Sequence, residues 1–159
     1  MIAIGKHPED AKLYRLTAEQ RLPAPLDEVF PFFADAFQLE RITPPWLHFS
    51  VLTEAPIEMQ TGALIDYKLR LRGVPLKWRT EISLWEPPVR FVDQQLRGPY
   101  KVWRHLHVFR EEDGQTIVYD QVDYRVPGGP LVHWLLVRRD LERIFQYRHD
   151  RLDEIFPAA

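Results

Sequence analysis

The chain contains no cysteine, which excludes disulfides, thiolate metal sites and a cysteine nucleophile together. Glycine is scarce, with 7 in 159 residues, and none falls in a GxGxxG or Walker arrangement, so no nucleotide cofactor is implied. A GxSxG elbow and an HExxH pair are missing too, which disfavours hydrolase chemistry of those kinds. An excess of charge of either sign is also missing. Lys and Arg number 21 and Asp and Glu 23, for a net charge of −2, so no positive field exists to hold nucleic acid. No uncharged apolar run approaches the ~18 residues of a membrane span. The opening MIAIGKHPED lacks the apolar stretch of a signal peptide. No stable membrane insertion and a cytoplasmic location are therefore expected, while nothing in the sequence sets the oligomeric state.

What remains is a chain of 18.9 kDa with 45% hydrophobic and 28% charged residues, too apolar for disorder and long enough for one sizeable core. Residues 1–159 are expected to form a single domain. The 14 prolines fall singly or in pairs between periodic segments and punctuate them. Leu13 to Leu22 alternates imperfectly and predicts a strand. In the next segment Leu26, Val29, Phe30, Phe33 and Phe37 recur at helical spacing, with Asp27 and Glu28 in the favourable first turn. Pro31 lies inside it, which predicts two short helices or one broken one.

From Trp46 to Val126 the period changes to two. Six strands are predicted, near residues 46–54, 63–71, 75–86, 89–97, 100–110 and 115–126, each separated by a short Pro, Gly or acidic turn. Short connections leave no room for crossover helices, so the strands are expected to be antiparallel neighbours. After PGGP, residues 131–156 hold neither Gly nor Pro and predict one long helix. Leu131, Trp134, Leu135, Leu141, Phe145, Leu152 and Phe156 form its apolar stripe.

The expected fold is α+β: a curved seven-stranded antiparallel sheet wrapped around a long C-terminal helix, with two short helices after the first strand. One pleat face would line a cavity with Ile65, Tyr67, Leu69 and Leu71, then Trp78, Thr80, Ile82 and Leu84, then Val118, Asp120, Val122, Tyr124 and Val126. In the segment Tyr100 to Arg110, Trp103, His105, His107 and Phe109 share one face and Val102, Arg104, Leu106 and Val108 the other. Periodicity alone does not choose between them.

The order of elements, with RFVDQQLRGPYKVWRHLHVF, IVYDQVDYRVPGGPL and the terminal RRDLERIFQYRHDRL, resembles the SRPBCC or START-like superfamily. This helix-grip group includes polyketide cyclases and the major birch pollen allergen, and the closest similarity is to its small stand-alone bacterial ligand-binding members. The likeness runs from about Leu13 to Phe156. It implies that the Trp103, His105, His107, Phe109 face turns inward, and with it Phe91, Asp93 and Gln95. It also implies an internal cavity for a small hydrophobic ligand such as a lipid, polyketide or isoprenoid.

Three readings compete for the resulting cluster of Asp93, Gln95, His105, His107, Asp120 and Tyr124. The imidazoles orient a carried ligand. Alternatively, His105 or His107 with Asp93 or Asp120 is a general base for cyclisation or dehydration, without a cofactor. In the third, two histidines at i and i+2 with a carboxylate hold a divalent metal, but no third ligand is assured and no metal is assigned. Expected ligand-binding residues are Tyr67, Trp78, Asp93, Gln95, Trp103, His105, His107, Asp120, Tyr124, Trp134, Arg138, Leu141 and Phe145. Arg138 and Arg148 lie beside the stripe, where each reaches the cavity or extends to water. His133 and His149 are expected at exposed or edge positions. A further class, a protein-interaction module like chaperone-stimulating relatives, would show an exposed apolar patch and a filled interior.

Overall fold

The computed structural model covers all 159 residues, Met1 to Ala159. Its sheet has eight antiparallel strands: β1 Ile2–Lys6, β2 Tyr14–Leu22, β3 Ser50–Val51, β4 Leu64–Leu71, β5 Val74–Glu86, β6 Arg90–Arg97, β7 Val102–Glu112 and β8 Gln115–Arg125. They lie in the order β1-β2-β8-β7-β6-β5-β4-β3, a meander whose last strand returns beside β2. The β8 register places Val118, Asp120, Val122 and Tyr124 on one buried row.

Two expectations about strands are corrected. β1 was not foreseen, because its five residues alternate only through Ile2 and Ile4; pairing with β2 supplies what the pattern lacks. The strand expected near 46–54 shrinks to Ser50–Val51. Pro44 and Pro45 lead into a 3₁₀ turn at Pro45–Leu47, and His48 takes a left-handed conformation at φ 46°, which breaks an extended run. A third correction concerns Leu84. The β5–β6 register slips between Ile82 and Leu84, reversing the pleat, so Trp85 rather than Leu84 packs inward against Phe30 and Phe91.

The helices after β2 are α1 Leu26–Ala34 and α2 Leu39–Ile42, bridged by a 3₁₀ turn at Ala36–Gln38. Pro31 is carried within α1. The chain turns at Asp35, whose carboxylate accepts the Phe37 N–H and caps the bridge. The terminal helix is continuous over residues 129–155, as α3 Gly129–Val132, a π segment His133–Val137 and α4 Arg138–Ile155. In the π segment the Arg138 N–H reaches back to the His133 carbonyl, one residue further than in an α-helix.

Within α4, Leu141, Phe145 and Leu152 are buried against the inner face of the sheet. Each such burial contributes about 1.5 to 3 kcal/mol, which fixes the helix across the strands. Leu131, Trp134 and Leu135 do not join that packing, contrary to the expected stripe: they are exposed, because the helix begins beyond the sheet and the π segment turns His133 inward instead. No helix is long and apolar enough to cross a membrane.

Candidate functional site

Between the sheet, the short helices and α4 lies a partly enclosed cavity of about 200 Å³. Its wall is mostly apolar. The strands contribute Ile65, Tyr67, Leu69, Trp78 and Trp103, and α4 contributes Leu141, Ile144, Phe145 and Arg148, spaced at i, i+3, i+4 and i+7 so that one helical face points inward. Burial pushes the hydroxyls of Tyr67 and Tyr100 up, Tyr67 also through Asp93, so both stay neutral phenols.

The polar end of the cavity is built by register. Asp93 of β6 stands opposite His105 of β7, and His107 stands opposite Asp120 of β8, so two adjacent strand pairings gather two imidazoles and two carboxylates. The rings of His105 and His107 stack with centroids 3.7 Å apart, and Phe91 extends the stack at 4.2 Å from His107. His105 Nε2 donates to Asp120 Oδ1 at 2.7 Å, and His107 Nε2 donates to Asp93 Oδ2 at 2.5 Å. Arg148 approaches Asp120 Oδ1 at 3.5 Å while its guanidinium covers the rings of Phe33 and Phe145.

The electrostatics divide the pair. Burial and the neighbouring His107 hold His105 below its ordinary value, although Asp93 and Asp120 oppose this. Burial also lowers His107, but the facing carboxylates of Asp120 and Asp93 outweigh that effect and raise it overall. Burial pushes both carboxyls up, yet the imidazoles and Arg148 overcome it and hold Asp93 below, and Asp120 well below, the usual carboxylate range. Two carboxylates thus face the Arg148 guanidinium and a His107 that holds its proton more readily than a free imidazole, beside a His105 that holds it less readily. Such pairing is what keeps buried charge tolerable.

Three nitrogens remain unsatisfied. His107 Nδ1 lies 3.3 Å from Asp120 Oδ1 but off the hydrogen-bonding direction, and Arg148 Nε has no partner. His105 Nδ1, 3.7 Å from Asp93 Oδ2, makes no hydrogen bond. Donor atoms of Asp93, His105 and His107 lie within 4.8 Å of one another. The two ring planes lie 25° apart, and His107 Nε2 is already committed to Asp93 Oδ2.

Of the residues expected at the site, Tyr67, Trp78, Asp93, Trp103, His105, His107, Leu141 and Phe145 line the cavity. Asp120 sits behind the imidazoles and reaches the cavity only through them and Arg148. Gln95 is turned aside: its amide donates to the Tyr100 carbonyl at 2.7 Å and accepts the Tyr100 N–H at 3.1 Å, closing the β6–β7 turn. A Cβ on Gly98 would meet that amide at 2.5 Å and displace it. Tyr124 belongs to the solid core beside the cavity, donating to His133 Nε2 at 2.7 Å. Trp134 and Arg138 point to solvent, the latter pairing with Glu142.

Two edge expectations also fail. His133 is buried, stacked on Tyr14 at 3.5 Å, and His149 is buried with its carbonyl accepting from Gln20. The lining residues not foreseen as such include Phe33, Leu39, Phe49 and Met59. Helical spacing marks Phe33 as inward-facing, but nothing in spacing tells cavity wall from packed core.

The chain matches the family model described as polyketide cyclase / dehydrase and lipid transport over residues 22–148. Among solved structures it is similar to the Zhui aromatase/cyclase from Streptomyces sp. R1128, at TM-score 0.70 and 15% identity, covering 88% of this chain and 91% of that one. It is also similar to protein CV1439 from Chromobacterium violaceum, at TM-score 0.72 and 12% identity over 91% and 98% of the two chains. A third likeness is to a nucleoside-diphosphate sugar epimerase from Corynebacterium glutamicum, at TM-score 0.65 and 27% identity, covering 87% of this chain but 28% of that longer one. No curated protein matches. With the helix-grip architecture and a match over most of its length, the chain belongs to the polyketide cyclase / dehydrase and lipid transport family of the SRPBCC superfamily.

Proposed function

We propose that the chain, as a single domain, reversibly binds a compact, largely apolar molecule carrying one polar group, with the apolar body in the cavity and the polar group at the His105–His107 end. The observation that carries this reading is a cavity of about 200 Å³ with a mostly apolar wall and the His105–His107 cluster at one end. A cavity of about 150 Å³ holds a benzene ring, so this one suits one or two fused rings better than a whole acyl chain. His105 Nδ1 supplies a free acceptor, and the phenols of Tyr67 and Tyr100 supply donors. The family description is consistent with this ligand class. Native mass spectrometry of gently purified protein tests it: a co-purifying small molecule, lost on denaturation, is expected. Absence of one, together with no saturable binding of a panel of naphthyl and phenyl probes, overturns it.

A second reading, cofactor-free cyclisation or dehydration, is favoured by one observation: His105 Nδ1 makes no hydrogen bond, and burial makes this imidazole give up its proton more readily than a free one. In such a step His105 takes a proton from carbon next to a carbonyl. The resulting carbanion forms a bond to a second carbonyl carbon, and the alkoxide so produced takes that same proton back from His105. Deuterium exchange at the methyl carbon of acetophenone reports the first half of that step. Wild-type protein should accelerate it, and His105→Asn should remove about 10² of that acceleration. No acceleration by the wild type, or an unchanged rate in the variant, discards the enzyme reading and leaves the binding one standing.

A further inference from the structure

Away from the cavity, a second recess of about 200 Å³ is lined by Lys6, Lys12, Lys101 and Arg125, together with Gly129 and Pro130 where the terminal helix starts. No carboxylate lines it, and none of the four cations lies within 4.0 Å of one, although 15 such pairs exist elsewhere. Lys6 instead sits 4.3 Å over the Tyr14 ring and donates to its hydroxyl. The nearest acid in sequence, Asp10, is occupied with the Lys12 backbone N–H.

Immediately after Pro130 the helix carries an apolar tip. Leu131 is 66% exposed, Trp134 69%, Leu135 53% and Leu136 39%, and the first three share a face at three- and four-residue steps. Arg138 and Arg139 follow one turn later, on the faces of Trp134 and Leu135. A cluster of one Trp and three Leu held in water, beside the four unpaired cations of the recess, has the composition of an interfacial amphipathic helix.

We propose that this tip and the basic recess form one docking surface for an anionic lipid bilayer, with Trp134 and Leu135 entering the headgroup boundary and Lys6, Lys12, Lys101 and Arg125 meeting the lipid phosphates. Charge complementarity selects this occupant over a second copy of the chain. A two-fold contact through this face sets the same unpaired cations against themselves, whereas an anionic surface neutralises all four. The surface adjoins the cavity: α4 residues Leu141 and Ile144, which line it, follow five and eight residues after Leu136, and Arg72 of the β4–β5 turn pairs with Asp140 at 3.0 Å. Docking therefore brings one end of the cavity to the membrane. That last step rests on the binding function proposed above; the docking itself does not.

Co-sedimentation of the full chain with phosphatidylcholine vesicles, with and without phosphatidylglycerol, tests the docking without any cavity ligand. The chain should partition onto vesicles containing phosphatidylglycerol and not onto neutral ones, and high salt should release it. Lys101→Gln with Arg125→Gln should weaken partition by about fivefold per charge removed. Trp134→Ala with Leu135→Ala exchanges only exposed side chains for a strong helix former, so it should keep the wild-type melting curve while losing vesicle binding. No partition, equal partition onto neutral vesicles, or wild-type partition by both variants overturns the proposal. So does a dimer in sedimentation equilibrium that Trp134→Ala dissolves, because the tip is then covered by a second copy.

Discussion

His105 and His107 lie face to face at 3.7 Å, yet each donates its Nε2 proton to a different carboxylate, Asp120 for the first and Asp93 for the second. Two stacked imidazoles repel when both are charged, and the facing carboxylates favour the proton on His107 over His105.

The two rings should therefore titrate apart. Long-range ¹H–¹⁵N spectra recorded against pH should show His107 titrating above its ordinary 6.5 and His105 below it. Asp93→Asn should bring the His107 transition down. Coincident transitions near 6.5 contradict the assignment.

Acid should destabilise the fold before the carboxylates titrate. Burial depresses His105, His133 and His149 in the folded protein, so below 6.5 the unfolded chain binds more protons than the native one and stability falls with pH. His107 has the opposite sign: its contribution is complete below 6.5 and is lost as pH rises through its raised value. Three groups outweigh one, so the urea midpoint should drop on going from about pH 7 to about pH 5. Asp93 and Asp120 add a further loss only as pH falls below 3.8, through their lowered values. An unchanged or higher midpoint at the lower pH refutes this.

Arg148 is the counter-charge that makes Asp120 tolerable, and both are buried. Arg148→Ala leaves that carboxylate short of a partner and should cost about 3 to 5 kcal/mol in denaturant unfolding. The double variant Arg148→Met with Asp120→Asn should recover part of the loss. Equal loss in single and double variants would show that Arg148 stabilises by packing alone.

The π segment is anchored by one hydrogen bond, from the Tyr124 hydroxyl to His133 Nε2 at 2.7 Å. Tyr124→Phe leaves a buried ring nitrogen without a donor and should cost about 1 to 3 kcal/mol. Hydrogen exchange should quicken through residues 133–137 more than through α4. Uniform exchange would place the anchor elsewhere.

The sequence exposes the cavity's polar end more readily than its walls. Strict alternation through Trp103, His105 and His107, and through Val118 to Tyr124, survives folding because one face of each strand is buried and register cannot slip without reversing it. Leu84 and Gln95 escape the pattern for separate reasons: irregular β5–β6 pairing shifts the phase at Leu84, and bulges leave no mark in hydropathy, whereas Gln95 keeps phase with Asp93 but its amide is drawn aside by the Tyr100 backbone. Trp134 is misplaced because periodicity identifies an apolar helical face without saying where its partner surface ends. His133 and His149 look like edge residues until tertiary neighbours, Tyr14 and Gln20, come from strands more than a hundred residues away.

The central claim is that an apolar ligand enters the cavity and meets the two imidazoles. Titration of the neutral probe N-phenyl-1-naphthylamine, followed through the ring signals of His105 and His107, tests it most directly. The account predicts saturable one-site shifts of both rings, abolished when Leu69→Trp fills the cavity and retained in Trp134→Ala. Shifts confined to residues outside the cavity, or unchanged binding in Leu69→Trp, would contradict it.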